Sequence, residues 1–185
     1  MQQKRVVITG LGLVTPLGND VASTWQNLLQ GKSGAAPITH FDATKFKTRF
    51  ACEVKNLDVS NLFDAKELRR YDCYIHFAVK SAEEAMLDAA IHMEQENPLR
   101  CGVIYGSGMG GIKTLDVNIG GFGAGDGTPL YSPFFIPMII TNMAAGMLAI
   151  RYGFQGVNFA TTSACASSAH AIANACYQIR MGLAD

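Results

Sequence analysis

The sequence lacks an excess of charge of either sign. Its 185 residues include 15 Lys and Arg and 15 Asp and Glu, so the formal net charge is zero. A nucleic-acid-binding protein neutralises phosphates with clustered, excess lysine and arginine. The charge balance therefore argues against nucleic acid as a partner, and we expect none.

Paired cysteines are absent as well. Cysteine occurs five times, an odd number without any CxxC spacing, at Cys52, Cys73, Cys101, Cys165 and Cys176. We therefore expect neither a disulfide framework nor a metal site, and a cytoplasmic location follows because disulfides are rare in that reducing compartment. The default role of each cysteine is that of a small, buried hydrophobic side chain.

No apolar run is long enough to cross a membrane. The longest candidate, residues 134–150, is interrupted by proline, asparagine and glycine and falls short of the roughly 20 apolar residues that a bilayer requires. The apolar run after Met1–Arg5 turns at Gly10, which makes it too short for the hydrophobic segment of a secretory signal. We expect neither a membrane span nor a secretory signal.

Charge is missing from one long stretch. Between Asp126 and Arg180 the only formally charged residue is Arg151. Such a segment cannot form an ordinary solvated surface, because that surface is built largely from charged and polar side chains. We expect most of this stretch to be core or subunit interface.

What the sequence does contain is an alternation of short apolar strands and helices. Apolar and β-branched runs predict buried strands at Arg5–Gly10, Cys101–Tyr105 and Val157–Ala160. Capping residues and helical spacing predict helices over residues 20–29, 64–70, 72–90 and 166–181. Strands separated by helices indicate an α/β fold with a mostly parallel sheet.

Two glycine patterns are similar to a dinucleotide-binding fingerprint. The first, from Gly10 to Thr15, has threonine in place of the third glycine, and Pro16 stands where a helix should run. The second, Gly106–Gly111, satisfies GxGxxG after a strand, but nine glycines within residues 106–127 predict loop over much of that stretch. Without a βαβ unit and a placed acidic residue the pattern is weak. We predict no nucleotide site and no cofactor.

The segment around Cys165 carries the strongest signal for chemistry. A predicted strand runs into a tight turn and then a helix of small residues, which puts Cys165 at the helix N-terminus. Backbone N–H groups and the helix dipole there favour a thiolate and can hold the oxyanion formed when it attacks a thioester. Small flanking residues allow the close packing of a nucleophile elbow. From the residues alone, a structural cysteine at a buried helix start is an equal alternative.

A general base for Cys165 is not evident in the sequence. His170 follows five residues later, about 140° around the helix, so we expect it to point elsewhere. The remaining histidines lie in stretches without another catalytic signature: His40, His76 and His92.

One short predicted helix carries clustered basic residues. Lys66, Arg69 and Arg70 fall at positions i, i+3 and i+4 and share a face. The simplest interpretation is a solvated helix face, and the functional interpretation is a dock for an acidic partner. Spacing alone leaves both open.

Six segments, taken in order, resemble the condensing enzymes of fatty-acid synthesis, the β-ketoacyl-acyl-carrier-protein synthases. They cover nearly the whole chain and are Arg5–Gly12, Ser33–Gly34, Lys66–Arg70, Gly106–Gly111, Ser132–Phe135 and Thr162–Cys165. The resemblance implies a thiolase-like fold with layers in the order αβαβα and a buried central helix after Cys165. It also implies a homodimer, in which the strand near Val157 pairs across the twofold and the charge-poor 127–160 region suits the interface.

The same resemblance implies a reaction. Cys165 would accept an acyl group from acyl carrier protein, with its own backbone N–H as one oxyanion donor. Malonyl carrier would then lose carbon dioxide and extend the acyl chain by two carbons. Met109 matches a position that lines the acyl pocket, and Phe135 matches one that reaches the pocket across the dimer interface. Part of the basic surface that receives the carrier is matched by Lys66, Arg69 and Arg70.

Members of that family are more than twice as long as this chain. Residues 1–185 therefore resemble an N-terminal part, and we expect two catalytic histidines, a lysine and the second oxyanion donor beyond residue 185. On that expectation, this chain alone lacks decarboxylation and condensation activity. The alternatives are a non-catalytic subunit similar to chain-length factors, against which Cys165 argues, and a polyketide ketosynthase. Thiolases share the fold but use coenzyme A thioesters, whereas the basic helix face favours a carrier protein.

Overall fold

The structure, a computed structural model, describes residues 4–128 and 131–185. Within them the helices are α1 (Val21–Leu29), α2 (Glu67–Arg70), α3 (Cys73–Asp88), α4 (Ile112–Ala124), α5 (Phe135–Ile139), α6 (Met143–Tyr152) and α7 (Ser167–Arg180). The strands are β1 (Ala36–Pro37), β2 (Phe50–Ala51), β3 (Val103–Gly106) and β4 (Asn158–Thr161). Residues 1–3 and 129–130 lie outside the described residues. The prediction of no secretory signal includes residues 1–3, and the predicted interface over residues 127–160 includes residues 129–130.

The chain divides into two compact units. The first unit comprises residues 1–8, 62–79 and 91–185, and the second comprises residues 9–61 and 80–90. All the site residues predicted from the sequence belong to the first unit.

The centre of the first unit is a small parallel sheet. Strands β3 and β4 pair in register from Val103 opposite Asn158 to Gly106 opposite Thr161. Helices α6 and α7 pack against β3, and the buried apolar side chains include Ile75, Val79, Ala144, Ala145, Leu148 and Ala171. The predicted α/β class with parallel strands is confirmed. Two of the three predicted strands correspond to β3 and β4, and their ends lie within two residues of the predicted ends.

The short helix α2 begins with a reciprocal capping box. The backbone N–H of Glu67 donates to Asp64 Oδ1 at 2.8 Å, and the backbone N–H of Asp64 donates to Glu67 Oε2 at 2.9 Å. Two of the N–H groups that a helix start leaves unpaired are thereby satisfied. The sequence predicts this cap, and the cap stabilises the start of the helix that carries Arg69 and Arg70.

The prediction that residues 106–127 are loop for much of their length is wrong. Thirteen of these residues form α4. Glycine disfavours a helix interior by about 1 kcal/mol, but the N-terminus of α4 is capped by the carboxylate of Asp72, 42 residues earlier in the chain. The helix also packs against α5. Neither the cap from Asp72 nor the packing against α5 can be predicted from the composition of residues 106–127.

The prediction of a buried strand at Arg5–Gly10 is also wrong. These residues form no β-ladder within the described chain, and Val7 and Ile8 are 58% and 80% exposed. β-Branched residues favour an extended backbone, but a strand also needs a neighbour that accepts and donates its hydrogen bonds.

Helix α7 follows Cys165 as predicted, but the described residues bury only one side of it. Ser167 and Ala171 face the interior, whereas Ile172 and Tyr177 are 69% and 59% exposed. Small residues along the helix permit close packing on more than one side. The burial expected of a central helix is therefore reached here only towards the sheet.

In the second unit, the first glycine pattern packs against the C-terminal part of α3. A Cβ at Gly10 or Gly12 would overlap the backbone of α3. The backbone N–H groups of Leu11 and Leu13 donate to Asp88 Oδ2 and Glu84 Oε2, both at 2.9 Å. Carboxylates therefore occupy the N–H groups that a phosphate would need. The glycines here permit close packing.

None of the helices within residues 4–128 and 131–185 combines the length and the apolar character needed to span a bilayer.

Candidate active site

Cys165 lies in a short turn that joins β4 to α7. A 3₁₀ turn at Ala164–Ala166 leads directly into Ser167, the first residue of α7. The thiol is exposed and forms no disulfide. The strand, turn and helix occur in the predicted order, with Cys165 two residues before the helix.

The backbone of this turn is strained at Ala164. Its φ of +48° lies in the left-handed region, which costs a residue with a Cβ roughly 1–2 kcal/mol. Such a conformation persists only where its surroundings hold it, and strained turns of this kind are found at functional sites. Sharp, strained strand-to-helix turns also present the nucleophile in enzymes with a nucleophile elbow.

Hydrogen bonds from small polar side chains hold the strained turn. The backbone N–H of Ser163 donates to Ser167 Oγ, and that hydroxyl donates to the carbonyl of Ala164, both at 2.8 Å. Thr161 Oγ1 in turn donates to the carbonyl of Ser167 at 2.8 Å. The peptide groups on either side of Ala164 are therefore anchored to the first residue of α7.

His170 is part of this network. Its Nδ1 lies 2.8 Å from Ser163 Oγ. Within the described residues the imidazole makes no hydrogen bond to the thiol of Cys165. The sequence signal was there: the two polar side chains flank the cysteine. However, only the turn brings them together.

The start of the second glycine pattern provides space for the turn. A Cβ at Gly106 would lie 2.7 Å from backbone atoms of Ser167 and Ser168, closer than real Cβ contacts allow. Gly108 lies beside Ala164, with its nearest contact for a Cβ at 3.6 Å. These glycines therefore let β3 and its following loop approach α7 and the cysteine turn.

The end of the same pattern is occupied by protein groups. The backbone N–H of Gly111 donates to the carbonyl of Ile139 at 3.2 Å. At the start of α4, the backbone N–H and Oγ1 of Thr114 donate to Asp72 Oδ2 at 2.9 and 2.6 Å. A phosphate bound here would have to displace a buried carboxylate of like charge. The second glycine pattern therefore serves packing, although a helix does follow it.

Asp72 joins the starts of two helices. Burial alone would raise the pKa of its carboxyl, but hydrogen bonds from Thr114, Cys73 and Tyr74 outweigh burial and hold the pKa below the usual value. Cys73 is affected in the opposite sense, since burial and the neighbouring carboxylate raise the pKa of its thiol to about 11. Cys73 is therefore a protonated, structural thiol near neutral pH.

The two predicted acyl-pocket residues lie on separate segments. Met109 is 70% exposed in the glycine loop. Phe135 is half-buried at the start of α5, with its ring centroid 5.3 Å from that of Tyr131. A cleft of about 270 Å³ between α4 and the segment around Tyr131 is lined by neither of the two predicted residues. The assignment of Met109 and Phe135 to an acyl pocket stays a prediction.

The predicted basic residues are all exposed. Lys66 precedes α2, and Arg69 and Arg70 form its last turn. The guanidinium of Arg70 lies over the ring of Phe134, 4.6 Å from its centroid, a cation–π contact that restrains the side chain. Arg70 therefore links α2 to the residue just before α5.

Among the residues that the structure describes, no cluster of three His, Cys, Asp or Glu side chains is suited to hold a metal ion.

The family model named "Beta-ketoacyl synthase, N-terminal domain" matches residues 3–185. The chain belongs to this family. It is 43% identical over 185 residues to the 3-oxoacyl-[acyl-carrier-protein] synthase 2 of Coxiella burnetii, with 100% of this chain and 44% of the relative covered. The chain thus spans less than half the length of this curated relative.

Solved structures agree on the fold of this β-ketoacyl synthase domain. The ishigamide ketosynthase/chain length factor superposes with a TM-score of 0.90 at 25% identity, covering 100% of this chain and 46% of that one. A β-ketoacyl synthase from Burkholderia phymatum superposes with a TM-score of 0.78 at 26% identity, covering 98% and 45%. The predicted thiolase-like α/β fold and the predicted family are both confirmed.

Proposed function

We propose that this chain is the N-terminal part of a 3-oxoacyl-acyl-carrier-protein synthase that lengthens fatty acyl chains by two carbons. The observation that carries the proposal is the exposed thiol of Cys165 in a strained turn at the start of α7. An intact nucleophile argues against a non-catalytic subunit similar to chain-length factors. The fatty acyl substrate, as opposed to a polyketide, is supported by the name of the 43% identical relative.

The first half-reaction is acyl transfer to Cys165. The thiolate attacks the carbonyl carbon of the acyl-carrier thioester and forms a carbon–sulfur bond. The tetrahedral intermediate collapses, the bond to the carrier sulfur breaks, and the carrier leaves as a thiolate that takes up a proton from solvent. Atoms and charge balance without a cofactor.

The oxyanion of that intermediate needs hydrogen-bond donors. The first turn of α7 has no side-chain cap, and in the residues described here the backbone N–H of Cys165 donates no hydrogen bond. An unpaired, fixed N–H beside the reacting sulfur is a suitable oxyanion donor. The helix dipole of α7 adds a favourable partial charge.

The second half-reaction is decarboxylative condensation. The malonyl thioester loses carbon dioxide, the electron pair of the broken bond attacks the acyl carbonyl, and Cys165 leaves as a thiolate. Within the described residues the Sγ of Cys165 has no hydrogen-bonded acid or base. We therefore propose that this chain supports acyl transfer only. A steady condensation rate from the purified chain would contradict this division.

The proposed carrier-protein dock is the basic end of α2. Lys66, Arg69 and Arg70 are exposed, and opposite charge would favour an acidic carrier. Replacing Arg69 by glutamate should weaken carrier binding about tenfold or more at low salt, measured by titration calorimetry. The exposed Lys47→Glu variant makes the same charge change elsewhere and should bind normally.

We further propose a homodimer and a cytoplasmic location. Strand β4 pairs only with β3 among the described strands, so its other edge is available to a second copy, and all five cysteines are free thiols. Sedimentation at micromolar concentration tests the dimer. A monomer throughout that range would contradict it for this chain.

The experiment that tests acyl transfer is intact-mass measurement after incubation with a medium-chain acyl-carrier thioester. The chain should gain one acyl group. Cys165→Ala should gain none, and Cys73→Ala, the matched control, should gain one. An unmodified wild-type chain that is folded by circular dichroism would contradict the proposal that residues 1–185 suffice for this step.

A further inference from the structure

We propose that His170 is a positioning residue that keeps the hydroxyl of Ser163 away from the backbone N–H of Cys165. This inference rests on the proposed function, in which that N–H is an oxyanion donor. It assigns a specific task to the Ser163–His170 pair, which neither acyl transfer nor carrier binding uses directly.

The argument begins with the position of Ser163. It is the residue immediately before the 3₁₀ turn Ala164–Ala166, where a serine side chain ordinarily accepts a hydrogen bond from the second or third N–H of the turn. Ser163 makes no such bond. Cys165 supplies the second of these N–H groups. An ordinary serine cap would therefore occupy the group that the reaction needs.

The alternative partner of Ser163 explains the missing cap. Ser163 Oγ lies 2.8 Å from Nδ1 of His170, and the backbone N–H of Ser163 is held separately by Ser167 Oγ. Asn174 Nδ2 donates to the carbonyl of His170 at 2.8 Å, an added contact within the first turns of α7. The imidazole thus holds the hydroxyl from a rigid helix.

Competition between these two partners is the expected behaviour of serine. Its short side chain readily bonds to nearby backbone groups when no other partner is available. Without the imidazole, Ser163 Oγ would turn to the N–H of Cys165. The turn would stay folded, because Ser167 and Thr161 still hold its backbone, but the donor would be occupied.

The test is amide hydrogen exchange at Cys165 in four chains: wild type, His170→Leu, Ser163→Ala and the double variant. We expect exchange in His170→Leu to slow about tenfold relative to wild type, because the new cap protects the N–H. Exchange should return to within about twofold of wild type in the double variant, which has no hydroxyl to form the cap. His170→Asn, whose amide can reach the position of Nδ1, should retain fast exchange.

Unchanged exchange in His170→Leu would overturn the proposal, and so would slow exchange that persists in the double variant. A merely structural role for His170 predicts faster exchange in both chains, because a loosened turn opens more often. That outcome also counts against the proposal.

Acyl transfer provides a second readout. His170→Leu should transfer the acyl group about tenfold more slowly than wild type, a smaller loss than the hundredfold or more that removal of an oxyanion donor costs. Adding Ser163→Ala to His170→Leu should restore the wild-type rate. Absence of transfer in wild type alongside the expected exchange pattern would overturn the proposed function but not the positioning role.

Discussion

Two cysteines stand at the starts of two helices, and their surroundings differ. Cys73 opens α3, is half-buried and donates to the carboxylate of Asp72 at 3.2 Å, and the pKa of its thiol is raised to about 11. Cys165 precedes α7, is exposed and lies beside a backbone strained at Ala164. A position at a helix start therefore does not by itself set the surroundings of a thiol. Cys165 is exposed and, within the described residues, has no hydrogen bond to a carboxylate, whereas Cys73 is half-buried and has one.

Each cysteine also has a histidine nearby, and these differ too. His76 packs its ring against Phe63, with centroids 4.8 Å apart, and its buried Nε2 has no hydrogen-bond partner among the residues that the structure describes. His170 is exposed and pairs with Ser163. The start of α3 is thus built for packing, whereas the start of α7 presents polar groups to the surface.

Alkylation should show the largest contrast between the two sites. At pH 7.5 a thiol with a pKa of about 11 is ionised in fewer than roughly one molecule in a thousand. We therefore expect iodoacetamide to modify Cys165 about a hundredfold or more faster than Cys73, measured by peptide mass mapping. The exposed Cys52 serves as an internal reference. Equal rates at the two helix starts would refute the comparison.

Two nearby glycines, Gly106 and Gly108, should differ in how far an added methyl group disturbs the packing of β3 against α7. Gly106→Ala would push a Cβ into the backbone of Ser167 and Ser168, and we expect a loss of about 3 kcal/mol in unfolding free energy. Gly108→Ala makes only ordinary contacts with Ala164 and should cost less than about 0.5 kcal/mol. Urea denaturation checks both. Similar midpoints for the two variants would show that close packing at Gly106 does not hold α7 against β3.

The carboxylate at the start of α3 can be neutralised. Asp72→Asn should cost about 2 kcal/mol, because Thr114 loses a charged acceptor, and it should lower the raised pKa of Cys73 and speed its alkylation. Burial, the larger cause of that shift, stays in place, so Cys73 should remain slower than Cys165.

Thr114→Val is the matched control for Asp72→Asn. It removes the hydroxyl bond but leaves the charge, so it should cost about 1 kcal/mol without speeding the alkylation of Cys73. Faster alkylation in this variant would show that packing, not the carboxylate, suppresses the thiol.

The smallest expected effect is a pH dependence at His76. Burial lowers the pKa of its imidazole, with the charge of Asp72 opposing, so the unfolded chain binds the proton more readily than the folded chain. The contribution of neutral His76 to the free energy of unfolding is therefore fully present above pH 6.5. It is lost as the pH falls from 6.5 towards the lower pKa that the imidazole has in the folded chain. Melting temperatures measured between pH 7.5 and 5 should show this dependence in wild type and not in His76→Phe.

The exposed His92→Gln variant controls for the removal of a histidine. It should keep the same decline in melting temperature as wild type over the same pH range. A decline that persists in His76→Phe would assign the acid sensitivity to another group.

Elements that depend on local signals could be predicted from the residues alone. The capping box at Asp64, the helix after Asp20, the strand before Cys165 and the helix after it were all predictable, since caps and periodicity act within a few residues. Residue patterns also indicated the family, which the comparisons confirmed.

Elements that depend on distant partners could not be predicted in this way, because the contacts that stabilise them form only on folding. The glycine-rich residues 112–124 form α4 with a cap supplied by Asp72 from 42 positions away. Arg5–Gly10 is not a strand, because no strand in the described part of the chain completes its ladder. The contrast between Cys73 and Cys165 has the same origin. Exposure and electrostatic surroundings are set by contacts made after folding, and residue type and spacing alone do not encode them.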